Sequence, residues 1–207
     1  EALLERNGDR FAATASAVVV ATGNDRHYPA KEYGLDLGPN VMTVSQRLAS
    51  LDKDGSEQLS DDPDRTVLLI LDLDGSTSME MTVEAFSLAI RLHDEQCSEV
   101  YVFYRDLKVD SPGLERLTRE MRDRGVLFAR YDDTEIEVSE EGVTVSYIEG
   151  ETQGDLLVLP EAVRPRTDTA GLAETLQIDV GEDGYFVDVN IHQARDYCMA
   201  PGVHDPA

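Results

Sequence analysis

The chain has 207 residues, with 42 Asp plus Glu against 18 Lys plus Arg and a formal net charge of −24. That length makes one large or two small domains, and a hydrophobic fraction of 41% is enough to bury a core. So acidic a surface repels phosphate backbones and anionic lipid, which argues against nucleic acid or a membrane surface as partner, and no apolar run approaches the roughly 18 residues of a membrane span.

In chain order, "FAATASAVVVATG" (11–23) ends in a short buried-type strand over 17–21 that stops at Gly23. The Pro, Gly, Asn and Asp content of 24–40 predicts loop. Residues 41–52, "VMTVSQRLASLD", predict a short helix capped by Thr43 or Ser45, and 53–64 an acidic linker. Alternation follows: strand 66–71, helix 78–95, strand 99–104, helix 111–124, strand 126–131. Strands alternating with helices predict parallel βαβ units. The first helix places Val83, Phe86, Ala89, Ile90 and Leu92 at a spacing of about 3.6 residues. The second takes Ser111 as N-cap, Pro112 at its first position and Glu115 in its first turn, and Gly125 stops it. From 135 the period becomes 2, predicting a hairpin that turns at Glu141-Gly142. Buried strands follow at 154–162 and 184–190.

The stretch "VLLILDLDGSTSMEMTVEAF" (67–86) supports three chemistries. A Mg²⁺-dependent phosphatase of the haloacid-dehalogenase type would use Asp72 as nucleophile and Asp74 as general acid, with Lys108 and Asp132-Asp133 completing the set. A metal-dependent von Willebrand A-type binding module would ligate its cation through Asp74, Ser76 and Ser78. A dinucleotide loop needs glycines for close backbone approach to the pyrophosphate. Here Gly75 stands alone, and Asp72, Asp74 and Glu80 add negative charge.

The segments on either side carry a resemblance. "SAVVVATGNDRHYPAKEYG" resembles the Ala-Thr-Gly motif of two-dinucleotide-domain flavoproteins, at which the chain leaves the flavin domain. "EVYVFYRDLKVDSPGLERLTREMRDRGVLFARY" (99–131) resembles the A subunit of heterodisulfide reductases and the related quinone-interacting oxidoreductase subunits. In those, a strand ending in Tyr-Arg-Asp precedes a helix and a Gly-Val-x-Phe-x-Arg-Tyr strand. "GDLLVLPEAVRPRTDTAGLAETLQI", "GYFVDVN" and "YCMAPGVHDP" resemble the segments that follow, so the ordered series runs over about 18–206.

The resemblance implies an α/β fold: a Rossmann-like parallel sheet, βαβαβ plus a β-hairpin or meander, flanked by pieces of an incomplete flavin-binding domain. The expected division is 1–40 as partial flavin-domain segment, 41–64 as helix and linker, 65–160 as a degenerate nicotinamide-type domain, and 161–207 as the return. FAD is the implied cofactor, with Thr22, Gly23, Gly202 and His204 beside it. No residue is assigned a catalytic role and none a metal. The family's iron–sulfur ligands fall on Leu73, Thr77, Met81 and Thr82. None is a cysteine, and thiolates are what hold such a cluster, so none is expected. Pro201 replaces a family glycine and removes a backbone donor.

The implied function is electron transfer between FAD and other redox subunits or iron–sulfur proteins, with self-association left open. The chain begins at Glu1 in mid-pattern, which suggests a piece of a longer polypeptide without turnover of its own. Cys97 and Cys198 form no disulfide framework or CxxC pair, which suits a reducing cytoplasm, and their ordinary role is as small buried hydrophobes. His27, His93, His192 and His204 are too scattered for a metal cluster.

Overall fold

The computed structural model describes residues 2–6, 8–14, 16–52, 65–73, 77–96, 99–107, 113–132, 134–187 and 203–204. The chain divides into a unit of residues 26–163 and a second formed by 1–25 with 164–207.

The chain opens in a hairpin that the sequence reading did not anticipate. Strands β1 (Ala2–Arg6) and β2 (Asp9–Ala13) pair antiparallel with Arg6 opposite Asp9. Only Asn7-Gly8 separates them, and Gly8 has the positive φ, 90°, that a two-residue hairpin turn favours. The strand expected at 17–21 is the two-residue β3 (Val18–Val19), followed by buried Val20.

Residues 24–40 are not all loop. They contain β4 (Asn24–His27) and a short helix α1 (Ala30–Tyr33) ended by Gly34. The expected helix over 41–52 is likewise divided into β5 (Val41–Thr43) and α2 (Val44–Asp52). Thr43 is its cap. Its Oγ1 accepts the Gln46 N–H at 3.1 Å, while Gln46 Oε1 accepts the Thr43 N–H at 3.0 Å, a reciprocal capping box.

The predicted alternation then appears: β6 (Thr66–Ile70), α3 (Met79–Gln96), β7 (Glu99–Tyr104), α4 (Leu114–Arg124) and β8 (Leu127–Arg130). On α3, Phe86, Ala89 and Leu92 are buried as expected, together with Met81, Ala85 and Leu88. Val83 is exposed instead, and Ile90 is half-buried, because the buried stripe is centred on 81, 85, 88 and 92. Helix α4 begins at Leu114 with Gly113 as its N-cap; Ser111 and Pro112 lie outside the described residues. Gly125 ends it, its N–H reaching the Met121 and Arg122 carbonyls.

The period-2 region is a meander of β9 (Glu135–Val138), β10 (Val143–Tyr147) and β11 (Gly150–Gly154), with the first turn holding Glu141 and Gly142 as predicted. It leads into β12 (Leu156–Leu159), every residue of which is buried. After β13 (Ala162–Pro165), α5 (Thr169–Leu176) and β14 (Val203–His204) belong to the second unit. β4 and β13 pair as a two-stranded ribbon. The strand expected at 184–190 is a single bridge between Phe186 and Val180 in its described part; 188–190 lie outside it.

Five parallel strands form the sheet of the 26–163 unit, in the order β5-β12-β6-β7-β8. Alternation along β6 splits the core in two. Val67 and Leu69 join Met81, Phe86, Leu88 and Leu92 on the helix side, while Leu68 and Ile70 join Val143 and Val145 of the meander. The central strands are therefore apolar on both faces, as a parallel sheet covered on both sides requires. The result is three layers: helices, parallel sheet, antiparallel meander. A small core of Val20, Ile178, Leu172, Leu176 and Phe186 lies in the other unit.

Candidate functional site

In an open parallel sheet, ligands collect at the carboxyl ends of the strands where the strand order reverses. That point lies between β6 and β12. The chain runs from β6 through α3 to β7 on one side, whereas β12 and β5 lie on the other. A cleft of about 320 Å³ opens there, lined by Tyr33, Thr77, Ser78 and residues 160–163.

Asp72 and Thr77 flank residues 74–76 after β6 and bond to each other. Asp72 is buried and takes the left-handed conformation, φ 59°, which β-carbon crowding makes unfavourable for residues other than glycine. Its N–H donates to Thr77 Oγ1 at 2.9 Å, and its Oδ1 accepts the Thr77 N–H at 2.8 Å. Asp is among the residues that tolerate this conformation, because its short side chain can hydrogen-bond locally. Ser78 caps α3: its Oγ accepts the Met81 N–H at 3.2 Å and its carbonyl accepts the Thr82 N–H at 2.9 Å.

Charge around the cleft is mostly negative. Glu161 is buried at 9% exposure, and its Oε2 accepts the Ser45 N–H at 3.4 Å. Arg26, on β4, donates to Glu80 at 2.5 Å, to both oxygens of Glu84 at 2.7 and 2.8 Å, and to Ser45 Oγ at 3.1 Å. Hydrogen bonding to Glu84 holds its guanidinium pKa well above the usual arginine value, against the opposing effect of partial burial. Tyr33 closes the rim by donating from its hydroxyl to the Pro160 carbonyl at 2.9 Å.

The sequence-based site expectations fare differently. Asp72, proposed as a phosphatase nucleophile, has its carboxylate bonded to the backbone of its own turn. Asp74, Gly75, Ser76, Lys108 and Asp133 lie outside the described residues. Among the described residues no group of three or more His, Cys, Asp and Glu could hold a metal ion. The four positions that the resemblance assigns to cluster ligands serve other contacts. Leu73 packs on the meander side and Met81 in the helix-side core, Thr77 accepts from Asp72, and the Thr82 hydroxyl donates to the Ser78 carbonyl at 3.0 Å. Cys97, Cys198 and His192 are outside the described residues.

Of the residues expected beside a flavin, three can be placed. β14 pairs with β3 in parallel, setting Val203 against Val18 and His204 against Val19. Thr22 and Gly23 follow the carboxyl end of β3, so they and His204 lie at the same end of that pair. Thr22 is half-buried; Gly23 has φ 66° and open space where a β-carbon would stand. Gly202 lies outside the described residues. Sequence reasoning passed over Arg26, Tyr33 and Glu161. Their partners are 19 to 127 residues away, from Arg26–Ser45 to Tyr33–Pro160, and no local pattern announces them.

No family model matches the sequence, and no curated protein matches it. Solved structures do match, as folds. The Cu(II) complex of the HOCl-induced flavoprotein disulfide reductase RclA from Escherichia coli is 19% identical with a TM-score of 0.52, over 98% of this chain and 41% of that one. T. acidophilum thioredoxin reductase is 15% identical with a TM-score of 0.53, over 99% of this chain and 60% of that one. A pyridine nucleotide-disulfide family oxidoreductase from Enterococcus faecalis is 15% identical with a TM-score of 0.51, over 98% of this chain and 43% of that one. The chain thus spans about two fifths to three fifths of the length of these structures. Among the described residues no helix is long and apolar enough to cross a membrane. The chain has the α/β, Rossmann-like fold of flavoprotein reductases, and it spans only part of their length.

Proposed function

We propose that this chain is the middle portion of a flavin-dependent oxidoreductase subunit resembling heterodisulfide reductase A. In the intact protein it contributes the second, Rossmann-like domain and two pieces of the flavin-binding domain. FAD exchanges electrons with partner redox subunits or iron–sulfur proteins. When bound, the flavin supplies the redox chemistry; Thr22, Gly23, Gly202 and His204 would line its site.

The observation that carries this reading is the parallel pairing of β3 with β14. Nearly the whole sequence separates these strands, and each lies within a segment that the resemblance assigns to the flavin domain. Isolation of the full-length protein tests it. Bound FAD, released on denaturation and identified by its absorbance, is expected. A full-length protein that folds yet contains no flavin, and takes up none when FAD is added, refutes the proposal.

A further inference from the structure

We propose that the cleft at the carboxyl end of β12 binds a small primary alkylamine, whose ammonium group the buried Glu161 carboxylate receives. The inference goes beyond the flavoprotein reading and rests on the 26–163 unit alone.

The cleft holds about 320 Å³ between Tyr33, Thr77, Ser78 and residues 160–163. Ligand sites span about 300–1,000 Å³, so an occupant here is small. Glu161 is the charged group of the lining, and it is buried. Its Oε2 takes the Ser45 N–H at 3.4 Å. Among the described residues nothing donates to Oε1, and no Lys, Arg or His forms an ion pair with this carboxylate. Arg26 donates to Ser45 Oγ, but its ion pairs are with Glu80 and Glu84. A carboxylate withdrawn from water without a counter-charge is costly, and a cation in the adjoining cleft offsets that cost.

The surroundings select the kind of cation. A hard metal ion takes about six or more oxygen ligands, whereas no group of three or more His, Cys, Asp and Glu lies there among the described residues. An alkylammonium asks for less: its N–H donors need one carboxylate and a few neutral acceptors. The hydroxyls of Tyr33, Thr77 and Ser78 bring acceptor oxygens to the lining, and Pro160, Ala162 and Val163 bring apolar wall for a short carbon chain. An anionic ligand would meet Glu161 with no basic residue in the lining to offset it.

Calorimetric titration of the full-length protein with butylamine at neutral pH, against 1-butanol and butyrate, tests the inference. Saturable binding of the amine is expected, with the alcohol about tenfold weaker or more and the acid not bound, because a hydrogen bond to a charged group carries at least that factor. Glu161→Gln keeps the size of the side chain and an acceptor for the Ser45 N–H, and should weaken amine binding about tenfold or more. Ala162→Leu narrows the cleft and leaves every carboxylate in place; it should weaken binding likewise, and serves if Glu161→Gln does not fold. Glu141→Gln removes an exposed charge outside this cleft and should have no effect. No saturation by about 10 mM amine, amine and alcohol bound alike, or full-strength binding in a folded Glu161→Gln or Ala162→Leu variant overturns the proposal. So does an equal loss in Glu141→Gln, which would assign the binding to diffuse surface charge.

Discussion

Substitution of Asp72 separates a structural role for this carboxylate from a chemical one. Two terms act at the position. The carboxylate accepts the Thr77 N–H, and a hydrogen bond to a charged acceptor contributes about 1.5–3 kcal/mol. The left-handed backbone, φ 59°, is unfavourable by about 1 kcal/mol for a residue with a β-carbon and no local hydrogen bond. Asp72→Ala loses the acceptor, leaves the Thr77 N–H without its partner and keeps the strained backbone, for a net loss of about 2.5–4 kcal/mol. Asp72→Gly loses the same acceptor but relieves the backbone, for about 1.5–3 kcal/mol. Asp72→Asn keeps an acceptor oxygen and tolerates the conformation, for under about 1 kcal/mol. The expected order of stability is wild type, Asn, Gly, Ala. Thermal and urea unfolding followed by circular dichroism would read it, at about 2–4 °C per kcal/mol for a chain of this size. An alanine variant as stable as wild type, or a glycine variant less stable than alanine, refutes the reasoning. Phosphate release from a generic ester that is abolished in the well-folded Asn variant would instead restore the nucleophile.

Three further outcomes are expected. Gly154→Ala would place a β-carbon 2.5 Å from Leu68 Cγ in the meander-side core, so a loss of about 1–3 kcal/mol from overpacking should appear in urea unfolding. Arg26→Ala removes a half-exposed ion-pair network, so its effect should be modest, about 1 kcal/mol or less, and shrink as salt is raised in a series of thermal melts. Burial, with a smaller contribution from Asp36, pushes the Tyr28 hydroxyl up to about 12 from 10. Because the folded value is the higher, this contribution is complete below about pH 10 and is lost as pH rises toward 12. Tyr28→Phe should flatten that alkaline fall in a pH series of melting temperatures, although it also removes the hydrogen bond to the Leu35 carbonyl.

Local pattern determined the α/β alternation of the middle of the chain. Runs such as 67–71 and 156–159 are apolar throughout, and only a strand covered on both faces uses such a run at that length. The stripe on α3 and the change to period 2 at 135 are equally local, as is the capping box at Thr43 and Gln46. The hairpin at Asn7-Gly8 went unanticipated, although that dipeptide is a local turn signal. β4 and β5 were not legible. β4 is polar and exposed, and its partner β13 lies far along the chain. β5 is three residues long and continuous with a helix.

The site divides in the same way. The sequence by itself showed that the turn after β6 lacks the glycines of a dinucleotide loop, and which segments resemble a flavin domain. Only the tertiary structure decided that Asp72 turns its carboxylate inward onto Thr77, that Arg26 is held by Glu80 and Glu84, and that Val203–His204 lies beside Val18–Val19. Composition and periodicity register what a residue does with its neighbours in the chain. Whether a carboxylate faces a ligand or its own backbone depends on groups that folding brings near it, and on a backbone angle that no pattern of residue types records.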